Sequence, residues 1–250
     1  MLPLTLSHLV AVLTHQPSTA AISDLRLPIS TVVVDSRQVE PGAVFVALPG
    51  ERTDGHSFVT DALRRGAVAA IVEQDVVPDA ECWLVDTRAF TLQHSASPPN
   101  WPPTGKPLIL RVENSLRALQ AWAAAWRADC GAVSGLRVVG ITGSVGKTST
   151  KESVASVLAQ RFSTLKSMGN QNNEIGVPLT LLRLTTSVQR AVLEMGMYYP
   201  GDIALLARLA RPNIGVITNV GPVHLERAGS IERIAQAKAE LVEALSLIHI

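Results

Sequence analysis

Residues 136–149 read LRVVGITGSVGKTS, an apolar β-branched run that passes into a Gly-rich turn and closes on Gly-Lys-Thr. The order strand, turn, helix sets a curl of backbone N–H groups against the positive end of a helix dipole, an arrangement suited to a nucleoside triphosphate. Gly143 and Gly146 permit the curl. Lys147 reaches the outer phosphates as a point charge, and the Thr148 hydroxyl is placed to ligate Mg²⁺. Thr142, Ser144, Val145 and Ser149 complete the segment that would surround ATP. The loop departs from the strict G-x-x-x-x-G-K-[ST] pattern, because Ile141 stands where the first glycine belongs. A Gly-rich turn without a ligand is the competing account, and the Lys-Thr pair at the helix start argues against it.

The chain around this loop is organised as alternating strands and helices. Apolar β-branched runs at 30–34, 43–48 and 67–72, with a helical pattern over 57–65, predict an α/β unit ahead of the loop. Residues 114–129 predict an amphipathic helix whose Leu116, Leu119, Trp122 and Trp126 form a buried face. After the loop come a helix over 147–161, a loop at 167–175 and a helix opening near Pro178. A strand at 190–194, a helix at 202–210, a strand at 213–219 and a helix at 231–246 complete the pattern. The strands are nearly all apolar, as parallel strands covered on both faces should be. The expected class is α/β: an N-terminal substrate domain over 1–130, then an incomplete phosphate-loop ATPase domain over 131–250 with a mostly parallel sheet. The Pro/Ser/Trp-rich stretch at 94–107 reads as an exposed loop or insertion.

Composition excludes several classes. The 250 residues are 47% hydrophobic and 17% charged, which describes a globular chain. A net charge of +1 without a Lys/Arg run gives no nucleic-acid surface. No apolar stretch approaches the ~20 residues of a spanning helix, and MLPLTLSHLVAVLTH at the start reads as an amphipathic helix rather than a signal peptide. Cys82 and Cys130 show neither metal-type spacing nor a disulfide framework, so the reading is soluble and cytoplasmic.

Other residues gather where chemistry would be done. Glu194 closes the strand Ala191–Leu193, at the strand end where open parallel sheets bind ligands, and a carboxylate there would hold Mg²⁺ beside Thr148. His224 follows the apolar run 214–218 at the same edge, although taken alone a histidine reads equally as a structural group. In KSMGNQNNEIGVP, residues 166–178, Asn172 and Asn173 offer amides to a polar ligand, with an ordinary turn and helix cap as the alternative. Spacing gives no reason to single out Lys238.

These segments resemble the Mur ligases. The likeness rests on TGSVGKTS at 142–149, GNQNNEIGVPLTLLRL at 169–184, AVLEMG at 191–196, NVGPVHLERAGS at 219–230 and AKAEL at 237–241. It extends to VDSRQVEPGAVFVALPGERTDGHSFVTDALRRGAVAAIVE at 34–73 and VENSLRALQAWAAAWR at 112–127. Within the family the likeness is greatest to the branch that joins D-alanyl-D-alanine to a UDP-N-acetylmuramoyl tripeptide. The resemblance implies ATP-driven amide formation through an acyl phosphate in peptidoglycan precursor synthesis, by a monomer. It implies that Lys147, Thr148, Asn172 and Asn173 serve ATP, and that Thr148, Glu194 and His224 serve magnesium. It gives Lys238 the place of a carbamylated lysine, whose carbamate is an oxygen ligand to the metal, catalytic alongside Lys147 and His224, and it sets Asp35, Ser36 and Arg37 against the UDP-sugar. Val145 stands where relatives often carry a polar residue, and the family's carboxy-terminal domain is absent, so this chain is expected to be an inactive fragment. Other readings are a diamino-acid-adding Mur enzyme, a folylpolyglutamate synthase-like ligase, a non-catalytic precursor-binding module, or a plain phosphate-loop hydrolase.

Overall fold

The computed structural model describes residues 3–15, 25, 27–50, 53–79, 81–87, 105–222 and 229–245. The chain divides into two compact units, Pro3–Trp122 and Ala123–Ile250.

The first unit opens with α1 (Leu6–Thr14), capped by the Thr5 side chain, which accepts from the His8 N–H. Leu6, Leu9 and Val10 face inward from it. Five parallel strands follow: β1 (Val32–Val33), β2 (Val44–Val46), β3 (Ala69–Val72), β4 (Trp83–Asp86) and β5 (Leu108–Arg111). Their spatial order is β1-β2-β3-β5-β4. β2, β3 and the first three residues of β5 are buried at every position, which is why their sequences VFV, AAIV and LIL carry no polar alternation. The region expected as a helix over 57–65 begins instead as a 3-10 turn, Gly55–Phe58, and continues as α2 (Val59–Arg64). β4 and β5 flank the Pro-rich stretch and were not expected. Four residues each, they are too short to show a period by themselves. The proline-rich segment itself lies almost wholly outside the described residues.

Helix α3 (Ser115–Ser134) passes through Gly131 and stops at Gly135, where φ is +64°. Leu119, Trp122 and Trp126 are buried along it, and the Trp122 indole N–H donates to His8 Nδ1 at 3.0 Å.

The second unit is a four-stranded parallel sheet in the order β7-β8-β6-β9: β6 (Arg137–Thr142), β7 (Thr164–Lys166), β8 (Arg190–Glu194) and β9 (Ile214–Ile217). Its helices are α4 (Lys147–Ala159), α5 (Gly176–Leu181), α6 (Asp202–Ala210) and α7 (Ile231–Glu243). Val139, Ile141 and Val192 pack with Ala155 of α4 in the core. β7, a three-residue strand, was not expected either. Among the described residues no helix is long and apolar enough to cross a membrane.

Ile109 sits fully buried on β5, between β3 and β4. Ile109→Ala should lower stability by about 2–5 kcal/mol, read as an earlier urea midpoint for the transition of this unit.

Candidate nucleotide and metal site

The second unit brings four strand ends to one edge, because all its strands run parallel. β6 delivers the phosphate loop. Gly143 (φ +145°) and Gly146 (φ +85°) make its two sharp changes of direction. A Cβ on Gly143 would come within 1.9 Å of Thr218 Oγ1 and 3.1 Å of the Thr218 backbone nitrogen, so only glycine fits there. The loop is held from the segment after β9. Asn219 Oδ1 accepts from the Ser144 and Val145 N–H groups at 3.1 and 2.9 Å, and Thr218 donates its hydroxyl to the Val145 carbonyl at 2.6 Å. Ser144 and Gly221 exchange a reciprocal pair of hydrogen bonds, at 2.9 and 2.8 Å. The two N–H groups nearest the loop apex are thus engaged by Asn219 in this conformation, and the Val145 side chain stands exposed.

Gly146 precedes α4 without a side-chain cap, so the first N–H groups of that helix are available to an anion. Lys147 folds over the loop and donates to the Gly143 carbonyl at 2.8 Å. Thr142 Oγ1 is buried at the foot of the loop with no hydrogen-bond partner among the described residues. Ser149 lies exposed in the first turn of α4.

Glu194 is 3% exposed. Thr148 donates to its Oε2 and Asn172 Nδ2 to its Oε1, both at 2.9 Å, while its own backbone N–H donates to Ser167 Oγ at 3.2 Å. Glu194 therefore ties the end of β8 to the head of α4 and to the loop after β7. Asn173 is used differently. Its Oδ1 accepts from the Gly176 N–H at 2.9 Å and caps the start of α5. Asn172, Asn173, Gly196, Tyr198 and Asp202 line a narrow crevice beside Glu194. His224 lies outside the described residues. Among the described residues no three His, Cys, Asp or Glu side chains are gathered to hold a metal ion, so Glu194 stands as the anionic ligand candidate with the Thr148 hydroxyl beside it.

Lys151 was not picked out from the sequence. It is 1% exposed, 3.9 Å from Glu194 Oε2, one helical turn beyond Lys147. Projecting α4 from Lys147 would have found it, since residues four apart share a face. Thr218 and Asn219 were also given no role, although Asn219 opens the NVGPVHLERAGS stretch.

Lys238 projects from α7 and is 2% exposed. Burial, and then the neighbouring charge of Lys147, push its amine down to about 8. Among the described residues no carboxylate pairs with it.

In the first unit, Asp35, Ser36 and Arg37 line a cleft of about 450 Å³ together with Phe45, Leu48, Thr53 and Phe58. Arg37 forks onto Asp35 (Nε–Oδ1 2.9 Å, Nη2–Oδ2 2.7 Å), and that hydrogen bonding holds the Asp35 carboxyl below the usual range. Gly55 on the cleft wall approaches Leu48 so closely that a Cβ would meet its N and O at 2.7 Å. The loop is fastened by His56, whose Nε2 accepts from the Glu73 N–H at 2.9 Å. The proton therefore sits on Nδ1, which donates to Asp54 Oδ1 at 2.6 Å.

Lys238→Met should stabilise the chain at pH 7, where the native ammonium is buried at a cost on the order of 2–3 kcal/mol. The advantage depends on pH. Between about 8 and 10.5 the folded lysine has lost its proton while the unfolded one keeps it, so wild-type stability rises there and the Met variant's advantage shrinks. Melting temperatures of both proteins at pH 7 and pH 9.5 check this.

Known proteins place this geometry. Residues 28–127 match the Mur ligase family, catalytic domain, and residues 141–250 match the Mur ligase middle domain. The UDP-N-acetylmuramoyl-tripeptide–D-alanyl-D-alanine ligase of Bacillus subtilis is 41% identical over 214 residues, covering 86% of this chain and 41% of that protein. The ligase of the same name from Escherichia coli is 37% identical over 246 residues, covering 98% and 46%. Among solved structures, MurF from Acinetobacter baumannii superposes with a TM-score of 0.76 at 29% identity, over 99% of this chain and 48% of that one. MurF from Thermotoga maritima in complex with ADP gives 0.68 at 37% identity, over 86% and 43%. The chain thus spans less than half the length of the relatives it matches. Two consecutive domain matches, and a parallel sheet whose edge carries the phosphate loop and Glu194, lead to one conclusion: the chain belongs to the Mur ligase family.

Proposed function

We propose that this chain supplies the precursor-binding and nucleotide-binding parts of an ATP-dependent carbon–nitrogen ligase that joins D-alanyl-D-alanine to a UDP-N-acetylmuramoyl tripeptide. Residues 1–130 would take the UDP-linked precursor and residues 131–250 the ATP, in the cytoplasm and as a monomer. The observation that carries the reading is the junction at Glu194, where the phosphate loop, the asparagine loop and a buried carboxylate meet at one sheet edge. The ADP-bound Thermotoga relative and the names of the Bacillus and Escherichia relatives support the same substrates.

In this reading a carboxylate oxygen of the tripeptide bonds to the γ-phosphorus of ATP as the β–γ bond breaks and ADP leaves. The amine of D-alanyl-D-alanine then attacks the acyl carbon, loses a proton and expels phosphate. Two anions must meet in the first step, so the residues' task is to neutralise charge. Lys147 lies over the loop where the outer phosphates would rest and turns from the Gly143 carbonyl to them. The residues present fit a magnesium ion in part, through Thr148 and Glu194, and His224, outside the described residues, would be the further ligand that the resemblance implies; bound there, the ion would supply Lewis-acid neutralisation of the gathering negative charge. The lowered affinity of Lys238 for its proton leaves more neutral amine. That amine can add to carbon dioxide with loss of a proton, turning a cation into an oxygen ligand. Arg37, with its side chain 83% exposed, would face the diphosphate of the precursor.

Isothermal titration should show Mg-ATP binding by this chain and at least about tenfold weaker binding by Lys147→Ala, the loss of one charged phosphate contact. Gly143→Ala should behave similarly, through the clash with Thr218. Equal binding by wild type and Lys147→Ala, or none by wild type, overturns the assignment. Arg37→Ala should weaken the UDP-tripeptide while leaving Mg-ATP unchanged.

A further inference from the structure

Lys151 has no part in the chemistry above, yet its ammonium is the most deeply placed charge on α4. It faces two carboxylates. Glu194 Oε2 is 3.9 Å away and almost wholly buried, while Glu152 Oε1 is 3.3 Å away on a side chain that is 45% exposed. It also reaches the Gly169 carbonyl at 3.5 Å, at the start of the asparagine loop. Glu194 receives its two closest hydrogen bonds from neutral groups, the Thr148 hydroxyl and the Asn172 amide. These solvate the carboxylate without cancelling its charge, and a buried carboxylate without a nearby cation is strongly disfavoured. Lys151 is the cation that faces it among the described residues. A divalent ion on the same carboxylate would take over that compensation and repel the ammonium. Glu152, which also pairs with Lys166, offers the displaced charge somewhere to go.

We propose that Lys151 is the resident counter-ion of Glu194. It is a positioning residue that holds the carboxylate in place, then shifts its charge toward Glu152 when a divalent cation arrives, and so sets the metal affinity of the site. This rests on the reading of Glu194 as a metal ligand. A lysine that only packs the core would move stability and leave metal affinity alone. A lysine that aids metal binding would, when removed, weaken it. The counter-ion role has the opposite sign, since removing the competitor tightens metal binding.

The test titrates the chain with Mn²⁺ in the presence of excess ADP and follows the melting temperature, with Glu194→Gln defining the background. Lys151→Met should bind Mn²⁺ about fivefold or more tighter than wild type, despite a lower melting temperature without metal. Lys151→Arg, which keeps the charge, should stay close to wild type. If Lys151→Met does not fold, Glu152→Gln decides. With its alternative partner gone, Lys151 is left to Glu194, and Mn²⁺ affinity should fall severalfold. Unchanged or weaker binding in the folded Lys151→Met variant, or unchanged affinity in Glu152→Gln when that variant decides, overturns the counter-ion role. Wild type no better than Glu194→Gln overturns the metal reading and the counter-ion role with it.

Discussion

The Glu194 carboxylate is the constraint on which the arrangement of the second unit's loops depends. It accepts from Thr148 at the head of α4 and from Asn172 in the loop after β7, while its backbone N–H is tied to Ser167. Thr148 and Asn172 come from different segments, so the carboxylate is held from both of its oxygens. Its place follows from strand register. Glu194 pairs with Ile141 at the end of β6, which puts it directly beside the start of the phosphate loop. A slip of one residue would turn it to the opposite face of the sheet, away from Thr148.

The loop itself depends on its neighbour strand as much as on its own glycines. β9 aligns with the end of β6, Thr142 opposite Ile217, so Thr218 and Asn219 arrive where the loop turns. Asn219 then offers one side-chain oxygen to two successive N–H groups. Those are groups that the sequence alone assigns to phosphate. Their engagement by Asn219 moves the anion-binding burden toward the uncapped first turn of α4 and the ammonium of Lys147, both of which lie beyond the Asn219 contacts.

How far the sequence reveals this varies with the kind of signal. Residues 190–194 and 202–210 are read to the residue, because a short apolar run closed by Arg190 and Glu194, and a helix bounded by Gly201 and Pro212, leave little choice. β4, β5 and β7 escape notice because three or four residues carry no period, and their burial comes from partners distant in sequence. Glu194 is legible as a carboxylate closing a buried strand. Lys151 and Lys238 are not, since a lysine on a helix normally faces water, and only tertiary packing shows these two enclosed. Asn173 shows the limit of composition. An amide-rich loop suggests ligand contacts, but one of its amides is spent capping α5.

The two units handle charge in opposite ways. In the first unit the Asp35–Arg37 fork stands in water. An exposed ion pair contributes little to stability, because solvent screens it and two side chains must be ordered to make it. Its value lies in holding a guanidinium, open to solvent, at the rim of a cleft walled by Phe45, Leu48 and Phe58, a combination suited to a ligand with both an apolar ring and anionic groups. The second unit instead withdraws Lys151, Lys238 and Glu194 from water, where unbalanced charge is costly and each interaction is strong. An excess of enclosed positive charge is a poor way to stabilise a fold. Here it is relieved in two ways: Lys151 faces the Glu194 carboxylate at 3.9 Å, and the Lys238 amine, which has no carboxylate partner among the described residues, gives up its proton more readily.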